Sequence, residues 1–246
     1  MMHIDINCDM GEGIGNEALL MPFISSANIA CGFHAGDEDE MQRVVTLCLQ
    51  YDVAIGAHPS FRDRENFGRT AMHLPINEIQ QIIAEQLKIL NKIVMANGGK
   101  LHHVKPHGAL YNMAAKDPIL ARAIADAVKN FDSTLIFYGL AGSVMIDEAI
   151  KAGLHTANEV FADRTYQPDG SLTPRTQQGA LIYDTNQTLL QVLQMIHENK
   201  VRTIHGEIIP IQADTICIHG DGSNAIEFAK AINNRLQAEG IAIQKI

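Results

Sequence analysis

The chain has 246 residues, 46% hydrophobic and 19% charged, with a formal net charge of -9. That length supports one large domain, or two small ones, with a sizeable core. The acidic balance excludes nucleic-acid binding as the main task, and no apolar run is long enough to span a bilayer. Cys8, Cys31, Cys48 and Cys217 lack CxxC spacing, so reduced thiols in the cytoplasm are expected rather than structural zinc on cysteines. The N-terminal residues have neither a basic nor an apolar leader region, which predicts no secretory signal.

The first strand begins at His3. In HIDINCDM the polar His3, Asp5, Asn7 and Asp9 alternate with Ile4, Ile6 and Cys8. Side chains of a strand alternate between faces, so one face is polar. In a buried first strand, unpaired carboxylates are costly unless they bind something. Gly11-Glu12-Gly13 then turns the chain, and Glu12 reads as solvated. A helix near Asn16 to Ile24 is followed by an apolar strand, Ala27 to Cys31, ending in GFHAGD. Asp37 suits an N-cap for a helix to Tyr51. Val53 to Ala57 is a short buried-type strand closed by His58-Pro59-Ser60, and Ser60 to Arg69 is a polar loop.

The clearest helix follows Pro75, with Asn77 as predicted cap and Gln80 at the reciprocal position. Its apolar spacing runs from Ile79 to Val94, and Asn97-Gly98-Gly99 stops it. The strand His102 to Lys105 leads into Pro106-His107-Gly108. Asp117-Pro118 starts a helix to Phe131. Thr134 to Tyr138 is strand-like, Ser143 to Ala152 helical, and Thr156 to Phe161 a sixth strand. Ala162 to Gln178 is a long irregular segment, of the kind that is functional or disordered. A helix over Thr185 to Glu198, a strand over Thr215 to Ile218 and a helix from Asn224 to Ala238 complete the chain.

Strand–helix alternation implies parallel strands. With roughly seven or eight such units, and polar residues after nearly every strand, a TIM-like (β/α) barrel fits better than an open sheet with one switch point. No linker divides the chain, so residues 1–246 read as a single α/β domain.

Residues suited to chemistry fall at these strand ends: Asp5, Asn7 and Asp9; His34 and Asp37; His58; Lys105 and His107; Glu159, Asp163 and Arg164; His219 and Asp221. In a closed barrel they share one rim. Helix caps do not explain why four histidines each follow a different apolar strand. No HExxH is present, but Asp5 and His34, with His58, could hold a divalent metal. His219-Gly220-Asp221-Gly222-Ser223 opens a helix and could meet an anion. Lys105, Arg164, Arg175 and Arg69 supply positive charge.

The motifs DINCDMGEG, NIACGFHAGD, GAHPSF with the following FGR, VKPHGALYN, EVFADR and ICIHGD occur in this order. Together they resemble the LamB/YcsF family over almost the whole chain. The resemblance implies a barrel of the glycoside hydrolase/deacetylase type with seven strands. It also implies hydrolysis of 5-oxo-L-proline to L-glutamate coupled to ATP hydrolysis, with ATP as co-substrate, magnesium accompanying it, and partner subunits B and C. For that chemistry Asp9 or Glu159 is the expected base and His107 or His58 the proton donor. Lys105 and Arg164 would meet anionic groups. Asn7 and Asn112 would orient the lactam, with Asp163 and His219 beside it. A metal-dependent deacetylase acting alone and a non-catalytic carbohydrate- or amino-acid-binding protein are the alternatives.

Overall fold

A computed structural model describes residues 2–220 and 224–246, so Asp221, Gly222 and Ser223 of the predicted anion-binding turn lie outside the described residues. The first half of the chain contains β1 (His3–Met10), α1 (Glu17–Leu20), a short 3-10 turn (Met21–Phe23), β2 (Ser26–Ala30), α2 (Glu38–Tyr51), β3 (Ala54–His58), α3 (Ile76–Ala96), β4 (Leu101–Val104), α4 (Gly108–Ala114) and α5 (Pro118–Phe131). The second half contains β5 (Ile136–Leu140), α6 (Val144–Ala152), β6 (His155–Phe161), α7 (Thr185–Glu198), β7 (Lys200–Arg202), β8 (Ile208–Pro210), β9 (Thr215–Ile218), α8 (Ala225–Ala238) and β10 (Ala242–Ile243).

The strands β1, β2, β3, β4, β5, β6 and β9 pair in that order, all parallel. Pairing of β9 with β1, Asn7 opposite Cys217, closes the sheet into the expected seven-stranded barrel. The short β10 extends the other end of β1. Neither β10 nor the antiparallel β7–β8 pair is visible in the sequence pattern; both are too short to show a period of their own.

Ile4, Ile6 and Cys8 of β1 are buried in the apolar layer that the helices cover. The α3 face of Ile79, Ile82, Ile83, Leu87, Leu90, Ile93 and Val94 belongs to that layer, each side chain contributing roughly 1.5–3 kcal/mol by its burial. Asp37 caps α2 by accepting from the Glu40 amide, and Asp117 caps α5 ahead of Pro118, as expected. The predicted Asn77 cap does not form. Helix α3 already starts at Ile76, and the Pro75 carbonyl accepts from the Glu78 and Ile79 amides. Among the described residues no helix is long and apolar enough to cross a membrane.

The alternate residues of β1 point into the barrel, whose axis is polar. Layer by layer, Asp5 lies opposite Thr215, Asn7 opposite Ser26, and Asp9 opposite Asn28. Gly56 of β3 makes room for a wide neighbour: a Cβ there would sit 2.1 Å from His103 Nε2.

Candidate active site

At the base of the axial column, Asp5 accepts from Ser25 Oγ at 2.6 Å, Ser26 Oγ at 2.7 Å, Thr215 Oγ1 at 2.5 Å and Tyr138 OH at 3.1 Å. Burial raises its carboxyl pKa, against the lowering effect of these hydroxyls. Four hydroxyl donors fill both oxygens. The expected metal pair of Asp5 and His34 is therefore not assembled, because these donors occupy Asp5 while His34 faces Glu12.

Asn7 forms the next layer. Its amide donates to Thr215 Oγ1 at 2.7 Å and its oxygen accepts from Asn28 at 2.7 Å and from Lys105 at 3.3 Å. It is saturated beneath the mouth, where it supports Lys105 rather than a ligand. Asn28 in turn accepts from His103 Nε2 at 2.8 Å.

Lys105 stands at the top of the column. Its ammonium lies 2.8 Å from Asp9 Oδ1, 2.7 Å from Glu159 Oε1 and 3.1 Å from Cys217 Sγ. The Glu159 contact is an ion pair, not an aligned hydrogen bond. Burial would lower the Lys105 pKa, but Asp9, Cys217 and Glu159 hold it well above its usual value. Burial would raise Asp9, but His58 and Lys105 beside it hold its carboxyl well below the usual range. Two carboxylates on one ammonium make the trio anionic. Tyr111 OH donates to the second Glu159 oxygen at 2.7 Å.

Around this floor opens a cavity of about 620 Å³, lined by Asp9, Glu12, His58, Lys105, His107, Asn112, Arg164, Arg175 and His219, among others. The loop after β6 forms one wall through residues 171–176. It is folded, with bridges from Arg164 to Leu181 and from Tyr166 to Leu172. Arg164 lines the cavity, but it donates to Thr173 O at 2.6 Å and Ala180 O at 3.3 Å. Burial pushes its pKa down to about 10. Asn112 lies at the outer wall and donates to Gly108 O. Asn7, His34, Glu159 and Asp163 stand behind the lining.

Two histidine arrangements face this space. His219 Nδ1 lies 2.8 Å from Asp163 Oδ1, a carboxylate that only accepts, so Nδ1 carries a hydrogen. Burial would raise Asp163, and His219 holds it below its usual value. On the opposite side, His34, His58 and His107 gather around Glu12, whose side chain is only 5% exposed. This overturns the reading of Glu12 as solvated. Burial pushes the His34 and His107 pKa values well down, with neighbouring histidines adding to it.

The sequence reading thus found Asp9, His58, Lys105, His107 and His219 at one mouth, with Glu159 and Asp163 directly behind. It missed Glu12, Asn28, Tyr111 and Cys217. Cys217 had a usable signal, since it alternates with Ile216 and Ile218 and so faces inward.

A closed parallel barrel with titratable groups at the carboxyl ends of its strands is the TIM-like α/β class. The chain belongs to the LamB/YcsF family, whose sequence profile matches residues 4–246. It is 52% identical over 246 residues to a protein of Bordetella pertussis (strain Tohama I) named as the A subunit of 5-oxoprolinase, a match covering 98% of each chain. The crystal structure of the lactam utilization protein from Thermus thermophilus superposes with a TM-score of 0.94 at 40% identity, over 100% of both chains. The peptidoglycan deacetylase PdaC of Bacillus subtilis shares the fold, with a TM-score of 0.53 at 11% identity over 100% of this chain and 88% of that one.

Proposed function

We propose that this chain is the A subunit of a cytoplasmic ATP-dependent 5-oxoprolinase. It would open 5-oxo-L-proline to L-glutamate, driven by ATP hydrolysis, together with subunits B and C. The full-length 52% identity to a protein named as the A subunit of 5-oxoprolinase carries this reading. The anionic floor of Asp9, Lys105 and Glu159 in a cavity large enough for a small lactam supports it. The four free cysteines suit a reducing compartment.

A lactam carbonyl is a weak electrophile. Transfer of the ATP γ-phosphoryl group to the lactam oxygen releases ADP and makes the ring carbon attackable. Water then adds to that carbon, Asp9 takes its proton, and the carbon–nitrogen bond breaks as the nitrogen gains a proton. The resulting acyl phosphate is hydrolysed by a second water to the γ-carboxylate and phosphate. Asp9 suits the base because it lines the cavity, whereas Glu159 lies behind it. Lys105 keeps Asp9 ionised instead of clamping a free anion. The Asp163–His219 dyad suits the proton donor, since Asp163 orients the ring and His219 faces the cavity. His58 and His107, the donors expected from sequence, instead turn their N–H groups to Lys105 O and Phe67 O. Arg69 and Arg175 give the mouth positive charge for phosphate or the substrate carboxylate.

The test is 5-oxoproline-dependent ADP release, measured with the chain alone and with its partner subunits. Release is expected only from the complete assembly. Turnover by the chain alone would remove the requirement for partners and favour an amide hydrolase acting by itself. A complete assembly that releases no ADP in response to 5-oxoproline would overturn the assignment.

A further inference from the structure

Within the cluster of Glu12, His34, His58 and His107, only His58 bears on the chemistry above, through positive charge beside Asp9 that a bound metal ion would equally supply. Its hydrogen bonds determine where its protons lie. His58 Nδ1 is 2.7 Å from Lys105 O, and His107 Nε2 is 2.9 Å from Phe67 O. Carbonyl oxygens only accept, so both of these nitrogens carry hydrogen. In neutral rings the other nitrogens then bear lone pairs. Those two atoms, His58 Nε2 and His107 Nδ1, face each other at 2.9 Å. Glu12 Oε1 converges on the same point, 3.4 Å from His107 Nδ1 and 3.9 Å from His58 Nε2. Asp9 Oδ2 also lies 3.4 Å from His58 Nε2. Electron-rich atoms aimed at one another repel unless a cation sits among them.

We propose that Glu12, His58 and His107 bind one divalent transition-metal ion of the zinc type, with a remaining coordination position facing the cavity. Separations of 2.9, 3.4 and 3.9 Å bracket the edge of about 3.3 Å expected between donors on a tetrahedron of ~2.0–2.1 Å bonds. A histidine that ligates a metal usually gives its other N–H to a carbonyl or carboxylate, as both rings do here. Two histidines, a glutamate and an open position form a known catalytic zinc donor set. All three residues line the cavity.

His34 is a positioning residue, not a fourth ligand. Its ring is stacked on His107, with centroids 3.8 Å apart and planes 8° from parallel. Two parallel rings cannot both aim in-plane lone pairs at one ion. His34 Nε2 instead lies 3.1 Å from Glu12 Oε1 and fixes the position of that oxygen. Gly68 leaves the space for the stack: a Cβ there would come within 2.9 Å of both His34 and His107.

The experiment uses the tag-free full chain, stripped with chelator. Zinc is titrated by calorimetry, and cobalt(II) is followed by its visible absorption. One ion per chain is expected, with a cobalt spectrum of tetrahedral intensity. His107→Gln and Glu12→Gln should each weaken zinc binding about 100-fold, and His34→Phe about 10-fold, within the range for loss of an outer-shell partner. Circular dichroism checks that each variant is folded; where the histidine variant fails to fold, Glu12→Gln decides. The proposal is overturned if the folded wild-type chain binds neither ion saturably, if folded ligand variants bind as tightly as wild type, or if nitrogen NMR in zinc shows a proton shared between His58 and His107. Substrate, ATP and partner subunits are absent throughout, so a negative result here leaves the 5-oxoprolinase assignment standing.

Discussion

Asp5 and Asp9 lie four residues apart on the same face of one strand, and both are buried inside the barrel. They end in opposite states. Asp5 meets only hydroxyls, and burial raises its pKa. Asp9 meets His58 and Lys105, which hold its pKa well down despite its burial. Hydroxyls satisfy the lone pairs of a carboxylate without supplying charge; only a cation keeps it ionised in a dry interior. The difference comes from what the other strands contribute at each level, Thr215 and Ser26 below, Lys105 and His58 above. The lower acid is thus a structural plug and the upper one a candidate base.

The largest expected break in this contrast is Lys105→Met, which leaves Asp9 and Glu159 facing each other without a counter-ion. It should cost about 3–5 kcal/mol of stability in urea unfolding and reduce ADP release by the reconstituted assembly to background. Near-normal turnover would show that Asp9 does not depend on Lys105. Gly56→Ala comes next. It drives a methyl into the His103 ring and should cost about 3 kcal/mol, read as a lower urea midpoint.

A third test uses pH. Burial, with His102 alongside, lowers the His103 pKa well below its ordinary 6.5. As pH falls below 6.5, the unfolded chain takes up a proton that the folded chain refuses, so stability is lost on acidification. His103 alone contributes a slope of about 1.4 kcal/mol per pH unit in that range. His103→Gln should flatten the profile by that amount, and an unchanged slope would show that His103 accepts a proton in the folded state. The smallest effect belongs to Asp5→Asn. An uncharged side chain in a hydroxyl cage should change stability by about 1 kcal/mol and leave turnover intact, whereas Asp9→Asn should abolish it.

The barrel was legible because its evidence is periodic. Each apolar strand ends in a polar residue, and β1 alternates strictly, so Asp9, His58, Lys105, His107 and His219 announce a shared rim. What remained hidden depends on contacts between distant parts of the chain. Glu12 sits between glycines and looks like any loop acid until His34, His58 and His107 close around it. Asp5 looks like a ligand until Ser25, Ser26, Tyr138 and Thr215 are brought to it from three other parts of the chain. Local pattern likewise favoured Asn77 as a cap, but Pro75 had already set the start of α3.

The hydroxyl cage around Asp5 also has a consequence for traffic. With Asp5, Ser26, Tyr138 and Thr215 all fully buried, the barrel is stoppered at its base, and among the described residues the cavity over Asp9 is its one doorway. Whatever enters over Asp9 must leave past the same arginines and the same folded wall of residues 171–176. Arrival and departure therefore compete for one passage, and a product slow to vacate it would hold back the next round as a competitive inhibitor.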